Sequence, residues 1–257
     1  MTLERLDKVL SHRGFGSRKD VKRLCHEQIV FINGKIVTDP SAKLDIDSDE
    51  LVVDGEKITL QRDIYIMMNK CQNVVCANKD GVHETVFDLV DDTLKHSFSA
   101  RDLHCMGRLD IDTEGLLVLT SDGALTHRLL SPKNHISKTY AVALRDSLSP
   151  EKKQEYVELF KKGFFIDRED KESEFTCQPS ELEFVENSFP NSSSKTDCLL
   201  TIYEGKFHQV KRMFAQLGNE VVYLKRVAMG GLKLDETLPL GKYRELTAKE
   251  IEILSGN

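Results

Sequence analysis

Asp110 and Asp112 stand two positions apart in Gly107-Arg108-Leu109-Asp110-Ile111-Asp112-Thr113-Glu114-Gly115, and Leu116 to Leu119 follow without a polar residue. The stretch reads as a tight charged loop delivered into a buried strand. A carboxylate there lies beside the core, where low dielectric favours a nucleophile if a neighbouring cation keeps it ionised. By residue type alone the pair could equally be a metal site, a glycosidase pair or two surface acids. Tyr140 lies in an alternating run, where a packed aromatic is the commoner reading. Lys211 and Arg212 could be the exposed face of an amphipathic helix. His208 and His127 have no second ligand at helical spacing, so no metal is expected.

Elements must hold these residues in place. Ile64–Asn69, Leu116–Ser121, Lys138–Leu144, Cys198–Glu204 and Val221–Leu224 read as strands. Tyr156, Leu159 and Phe160 mark one helical face; Val210, Met213, Phe214 and Leu217 mark another, which Gly218 should terminate. Strands broken irregularly by helices suggest an α+β fold with a mixed, largely antiparallel sheet flanked by helices. The Ser, Asn and Pro cluster at Asn187–Thr196 reads as a surface loop.

The first 60 residues follow a different pattern. Leu3, Leu6, Val9 and Leu10 recur at helical spacing, with a stop at Arg13-Gly14-Phe15-Gly16. Ser17 should cap a second helix by accepting the Asp20 amide, with Val21, Leu24 and Cys25 turned inward. In Ile29–Val37, two β-rich runs flank Asn33-Gly34, a strong signal for a type I′ hairpin turn.

Charge supports the division. The 257-residue chain carries a net −6, which argues against a generic polyanion binder, but RNA reads local patches. Residues 1–38 hold eight bases against four acids, and residues 39–63 hold eight acids against three bases, so the sign reverses at a boundary near residue 62. The windows 125–145 and 204–244 each come to +4, separated by a −6 segment over 146–186. A composition of 40% hydrophobic and 30% charged residues excludes collagen-like, disordered and membrane-embedded chains. The charged amino terminus and the lack of a long apolar run point to a soluble, unexported protein. The six cysteines, Cys25, Cys71, Cys76, Cys105, Cys177 and Cys198, form no CxxC or zinc-like cluster, as expected of reduced thiols in a cytosol.

Residues 3–53 resemble the S4 RNA-binding domain through Arg5-Leu6-Asp7, Gly16-Ser17-Arg18-Lys19 and Val30-Phe31-Ile32-Asn33-Gly34. One departure is Gln28, where the pattern usually has Gly. The string Gly107 to Gly123 resembles motif II of the pseudouridine synthases, in the version carried by the RsuA-like family that modifies ribosomal RNA. Ser131-Pro132, Lys138-Thr139-Tyr140, Glu204 to Phe214, Gly230-Gly231-Leu232 and Gly241-Lys242-Tyr243-Arg244 match in order. At Asn69 to Asn73 the family usually has Pro and Gly where this chain has Cys71 and Asn73. The implied organisation is an S4-like domain over 1–60, a linker at 61–63 and a catalytic domain over 64–257.

The resemblance implies that Asp110 is the essential catalytic aspartate, that Tyr140 stacks on the target base, and that Lys211 pairs with Asp110. It implies that Arg108 holds the backbone of a flipped-out nucleotide. Arg5, Arg18, Lys19, Lys22, Arg23, Arg128, Lys138, His208, Gln209 and Arg212 are the expected RNA contacts. Isomerising uridine requires a carboxylate, a flat stacking partner and exclusion of water, so neither a metal nor another cofactor is expected. Attack at C1′, addition to C6 and a glycal route all remain open at this point. The expected partner is ribosomal RNA, most like that of the small-subunit (16S) members, within an assembly intermediate; the expected enzyme is a cytoplasmic monomer without membrane contact. Large-subunit rRNA is the alternative target. A non-catalytic assembly protein that keeps the fold would be favoured if Asp110 were missing; a hydrolase with an Asp110/Asp112 glycosidase pair fits an RNA-binding module less well.

Overall fold

The computed structural model describes residues 3–12, 15–58, 60, 63–91, 103–168, 173–185 and 197–256. Chain contacts divide into two units, residues 1–64 with 91–104 and residues 65–90 with 105–257. The expected loop at Asn187–Thr196, and Gln61-Arg62 of the expected linker, lie outside the described residues.

In the first unit, β1 (Leu3–Arg5) leads into α1 (Leu6–His12), followed by α2 (Arg18–His26), β2 (Val30–Ile32), β3 (Lys35–Ile36), β4 (Lys43–Asp45), β5 (Leu51–Val53) and β6 (Glu56–Ile58). The helix expected from Leu3 onward is corrected here. Leu3 is 57% exposed and pairs with Asp45 in an antiparallel ladder, a partner too distant in sequence for local periodicity to register. The cap forms as expected: the Asp20 amide donates to Ser17 Oγ, and the Asp20 carboxylate accepts from the Ser17 amide. Val21 and Cys25 are wholly buried against Leu6, Leu10, Val30 and Leu44, while Leu24 packs at the edge. At the hairpin tip Asn33 and Gly34 have φ of 49° and 75°, as a type I′ turn requires. Gln28 also has positive φ, 57°, so the residue standing where the S4 pattern has Gly is held in the conformation that favours Gly.

From Tyr65 onward the chain forms β7 (Tyr65–Lys70), β8 (His104–Cys105), β9 (Glu114–Thr120), α3 (Gly123–Leu130), β10 (Lys138–Leu144), α4 (Pro150–Lys162), β11 (Phe165–Ile166), β12 (Phe175–Thr176), β13 (Glu181–Phe184), β14 (Cys198–Ile202), α5 (Gln209–Gln216), β15 (Val221–Met229), β16 (Leu232–Lys233), β17 (Tyr243–Glu245) and α6 (Ala248–Ser255). The large sheet runs in the order β13-β14-β10-β15-β9-β7-β17, with β16 beside β15 and β8 beside β9. Its β9–β15 pair is parallel; the other pairs with an assigned register are antiparallel. The expected mixed, largely antiparallel sheet is therefore present. Strand β9 is buried along its whole length, and its Leu116 and Val118 pack with Met67, Leu125, Leu129 and Leu254. Each such side chain contributes about 1.5–3 kcal/mol through apolar burial. A separate aromatic cluster, Tyr156, Phe160 and Phe214, joins α4 to α5 at ring separations of 5.1–6.4 Å.

Strand β15 extends to Met229, beyond the expected Leu224. The charges of Lys225 and Arg226 mask the apolar pattern, yet both side chains are buried, and Arg226 Nε donates to the Leu116 carbonyl. Gly115 is forced at this crossing: its φ is +100°, and a Cβ would stand 2.3 Å from the Arg226 carbonyl oxygen.

Candidate active site

The Asp110 loop hangs on a buried ammonium. Lys70, at the end of β7, is fully buried, and its Nζ donates to the carbonyls of Cys71, Asp110, Ile111 and Thr113 at 3.0–3.4 Å. Burial pushes the Lys70 pKa down, against the attraction of nearby thiols and of Asp112 and Asp110. The Thr113 amide closes the turn onto the Asp110 carbonyl, and the Asn73 amide donates to the Ile111 carbonyl. Asn73 has φ of 65°, so this chain also keeps a left-handed residue where the family usually has Gly.

Across this loop lies the start of α5. Glu204 Oε1 accepts from the Gln209 side chain and the Gln178 amide, while Gln209 Oε1 accepts from the Lys206 amide. His208 takes the left-handed conformation with φ of 48° at the helix N-cap. This strap brings His208 Nε2 within 3.8 Å of Asp110 Oδ1 and Lys211 Nζ within 3.7 Å of Asp110 Oδ2. The cation lies closer to the second acid, donating to both Asp112 oxygens at 2.6 and 2.7 Å. One ammonium thus stands beside Asp110 and bridges two carboxylates. Burial opposes ionisation of Asp112, but the Lys211 hydrogen bond and charge hold its pKa below the usual carboxylate range. Phe207 is 53% exposed and stacks on His208 at 3.7 Å, presenting an aromatic face beside the carboxylates.

Tyr140 sits in the middle of β10, 8% exposed, with Arg226 and Leu200 as its register partners. Arg226 in turn lies opposite Gly115 on β9, so the sheet connects Tyr140 to the strand that carries the Asp110 loop. Arg108 is exposed on that loop.

The expected RNA contacts separate by burial. Arg18, Lys19, Lys22 and Arg23 are exposed on α2. Arg5 is exposed but paired with Asp7 at 2.7 Å. Arg128 is exposed and donates to the Ser255 carbonyl, whereas Lys138 is half-buried and donates to the Ile136 carbonyl. Gln209 and Arg212 are corrected: both are buried. Gln209 is committed to Glu204 and Lys206, and Arg212 donates to the Asp167 and Ser173 carbonyls beneath the Phe175 ring. They shape the strap from inside. Sequence reasoning missed Lys70 as the loop's support and Arg226 as a buried cation. The only local signal was a charge at the end of an apolar strand run, which looks the same in an exposed residue.

Among the described residues no group of His, Cys, Asp and Glu could hold a metal ion, and no helix is long and apolar enough to cross a membrane. A carboxylate flanked by an imidazole and an ammonium, beside buried backbone and an exposed aromatic face, can act as a nucleophile or proton carrier on a flat base.

The fold agrees with comparison to known proteins. Residues 64–216 match the RNA pseudouridylate synthase family and residues 4–51 match the S4 domain. The chain belongs to the RNA pseudouridylate synthase family, with an S4 domain at its amino end, and is an isomerase of that class. It is 43% identical to a Bacillus subtilis (strain 168) protein named uncharacterized RNA pseudouridine synthase YtzG, over 98% of each chain. It is 40% identical to the ribosomal small subunit pseudouridine synthase A of Vibrio cholerae, over 96% of this chain and 97% of that one. A crystal structure of a pseudouridylate synthase, 38% identical, superposes over 97% of this chain and 99% of that chain with a TM-score of 0.62.

Proposed function

We propose that this chain converts a uridine of small-subunit (16S) ribosomal RNA to pseudouridine, with Asp110 as the essential carboxylate. The observation that carries the assignment of Asp110 is its place on a loop braced by Lys70, between His208 and Lys211 at 3.8 and 3.7 Å. The choice of RNA rests on the near full-length likeness to proteins named ribosomal small subunit pseudouridine synthase A. The reaction breaks N1–C1′, turns the base and forms C5–C1′; C5 loses a proton and N1 gains one, so it is redox-neutral. In this reading Asp110 takes part in bond making, Lys211 stands beside it as counter-charge, Tyr140 stacks on the base and Arg108 holds the nucleotide's backbone.

The exposed cations of α2 bind phosphates, and residues 1–60, 61–63 and 64–257 act as RNA-binding domain, linker and catalytic domain. The enzyme works as a cytoplasmic monomer on an assembly intermediate, consistent with six free cysteines. Asp110→Asn is expected to abolish pseudouridine formation while leaving RNA affinity within a few-fold. Carbodiimide-dependent primer-extension stops on both rRNAs, from cells with and without the protein, read the activity and its target together. Undiminished stops with Asp110→Asn would refute the residue's role, and stops lost from the large-subunit rRNA alone would overturn the choice of RNA. Comparable rates on a ten-nucleotide strand and on a small-subunit assembly intermediate would refute the need for a structured substrate.

A further inference from the structure

The strap that leads into α5 leaves one large ring outside the core. Of the large apolar residues between Glu204 and Phe214, Val210, Met213 and Phe214 are buried, whereas Phe207 is 53% exposed. Such exposure forgoes the stabilisation that burying a Phe side chain gives. The ring is nevertheless held in place by its surroundings. The Lys206 amide donates to Gln209 Oε1, the Gln209 amide donates to the Lys206 carbonyl, and the Arg212 amide donates to the His208 carbonyl. The His208 imidazole lies against Phe207, with ring centroids 3.7 Å apart and planes 23° from parallel. That same imidazole places Nε2 3.8 Å from Asp110 Oδ1, so the exposed part of Phe207 stands one stacked ring away from the Asp110 carboxylate.

There is space beside it. A cavity of about 540 Å³ is lined by His208 and Lys211 at the start of α5 and by Arg145 and Glu220 at the adjoining ends of β10 and β15. Its size lies within the roughly 300–1,000 Å³ of small-ligand sites, so an RNA strand that reaches Asp110 has room to continue past it.

We propose that Phe207 is a stacking platform for the base next to the target uridine. The inference rests on the uridine-isomerising reading of the site and adds an RNA contact which that reading does not assign. A uridine that leaves its stack uncovers a face of the neighbouring base. An aromatic ring can cover that face whatever the base is, because every base has a π-face. Phe207 has no hydrogen-bond donor to offer a phosphate, so its ring suits a base and not the RNA backbone. Tyr140 takes the target base in the same reading, which leaves Phe207 for the neighbour. Because the strap fixes the ring before RNA arrives, little side-chain freedom is lost on binding. The contact forms when RNA binds and persists through the reaction, so its loss should raise KM and spare kcat.

The test measures steady-state pseudouridine formation on rRNA by the full-length enzyme and its Phe207→Ala, Phe207→Leu and Phe207→Tyr variants. The expected result is a KM about ten-fold higher for Ala and for Leu, with kcat within about three-fold of wild type and Tyr close to wild type in both constants. Leu keeps the apolar bulk and lacks the π-face, which separates stacking from packing. The chain has no Trp, so Phe207→Trp introduces a single indole whose emission rRNA should quench. Removing the base on one side of the target uridine from an rRNA fragment should restore that emission; removing the uridine base itself should not. A Leu variant equal to wild type, a fall in kcat at constant KM, emission indifferent to rRNA, or emission restored only by removing the target base would each overturn the proposal. A wild-type enzyme that makes no pseudouridine would instead refute the assigned activity, and quenching of the indole by rRNA would still show whether a base lies on this ring.

Discussion

The two units use their cations in opposite ways. On α2, Arg18, Lys19, Lys22 and Arg23 project into solvent from a short helix whose stability comes from its own cap and from Val21 and Cys25. In the catalytic unit, Lys70, Arg212 and Arg226 are buried and donate to main-chain carbonyls. By sign of charge the two sets are alike. A solvated cation can exchange water for phosphate at little cost, whereas a buried one already holds its acceptors, and removing it leaves them orphaned. Basic residues near a nucleic-acid site thus divide into those that bind the ligand and those that build the site.

Lys70→Met should break this comparison most visibly. Four carbonyls of the Asp110 loop region lose their common donor, so the catalytic unit should lose about 3 kcal/mol or more in urea unfolding, and turnover should fall with it. A stable, active Lys70→Met enzyme would show that the loop holds itself. Arg212→Ala should cost about 2–3 kcal/mol while leaving the slope of log K against log salt for rRNA unchanged. Replacing Arg18, Lys19, Lys22 and Arg23 with Ala should do the reverse: each change alters stability by roughly 0.5 kcal/mol or less, but each lost phosphate contact flattens the slope by about 0.7–0.9. Filter binding across a salt series distinguishes the two, and an unchanged slope in the α2 variant would make that face solvated surface only.

Acid should act on the catalytic unit through a third arrangement, the half-exposed Arg244. It donates to Asp235 at 2.8 Å and to Glu250 at 2.8 and 2.9 Å. Thr237 and Arg244 hold Asp235 down at about 2, and Arg244 with Thr247 holds Glu250 at about 2. Because both folded values are depressed, their contribution is complete above the ordinary carboxylate range and is lost as pH falls from about 4.5 towards 2. Unfolding followed across that window should show a steep loss that Arg244→Met flattens. The smallest effect is expected at the left-handed residues: Gln28→Gly should raise stability by up to about 1 kcal/mol, since relief of strain at positive φ outweighs the added freedom of the unfolded chain. A lower melting temperature in Gln28→Gly would mean that the Gln28 side chain contributes more than the strain costs.

Local order was legible in the sequence because it depends on neighbours along the chain. The Ser17 cap, the Asn33-Gly34 turn, the strand at Lys138–Leu144 and the α5 face ending at Gly218 each arise from residues within a few positions of one another. The string around Asp110 and its likeness to a known motif were equally available. Tertiary structure decided what depends on distant partners. It paired Leu3 with Asp45, extended β15 through two buried charges, and gave Lys211 to both Asp110 and Asp112. It also turned Gln209 and Arg212 inward and set Cys76 against the Leu109 amide behind the loop. A charge has the same letter whether solvated or buried; only the packed chain determines which acceptors surround it, and so whether it binds RNA or holds the site that acts on it.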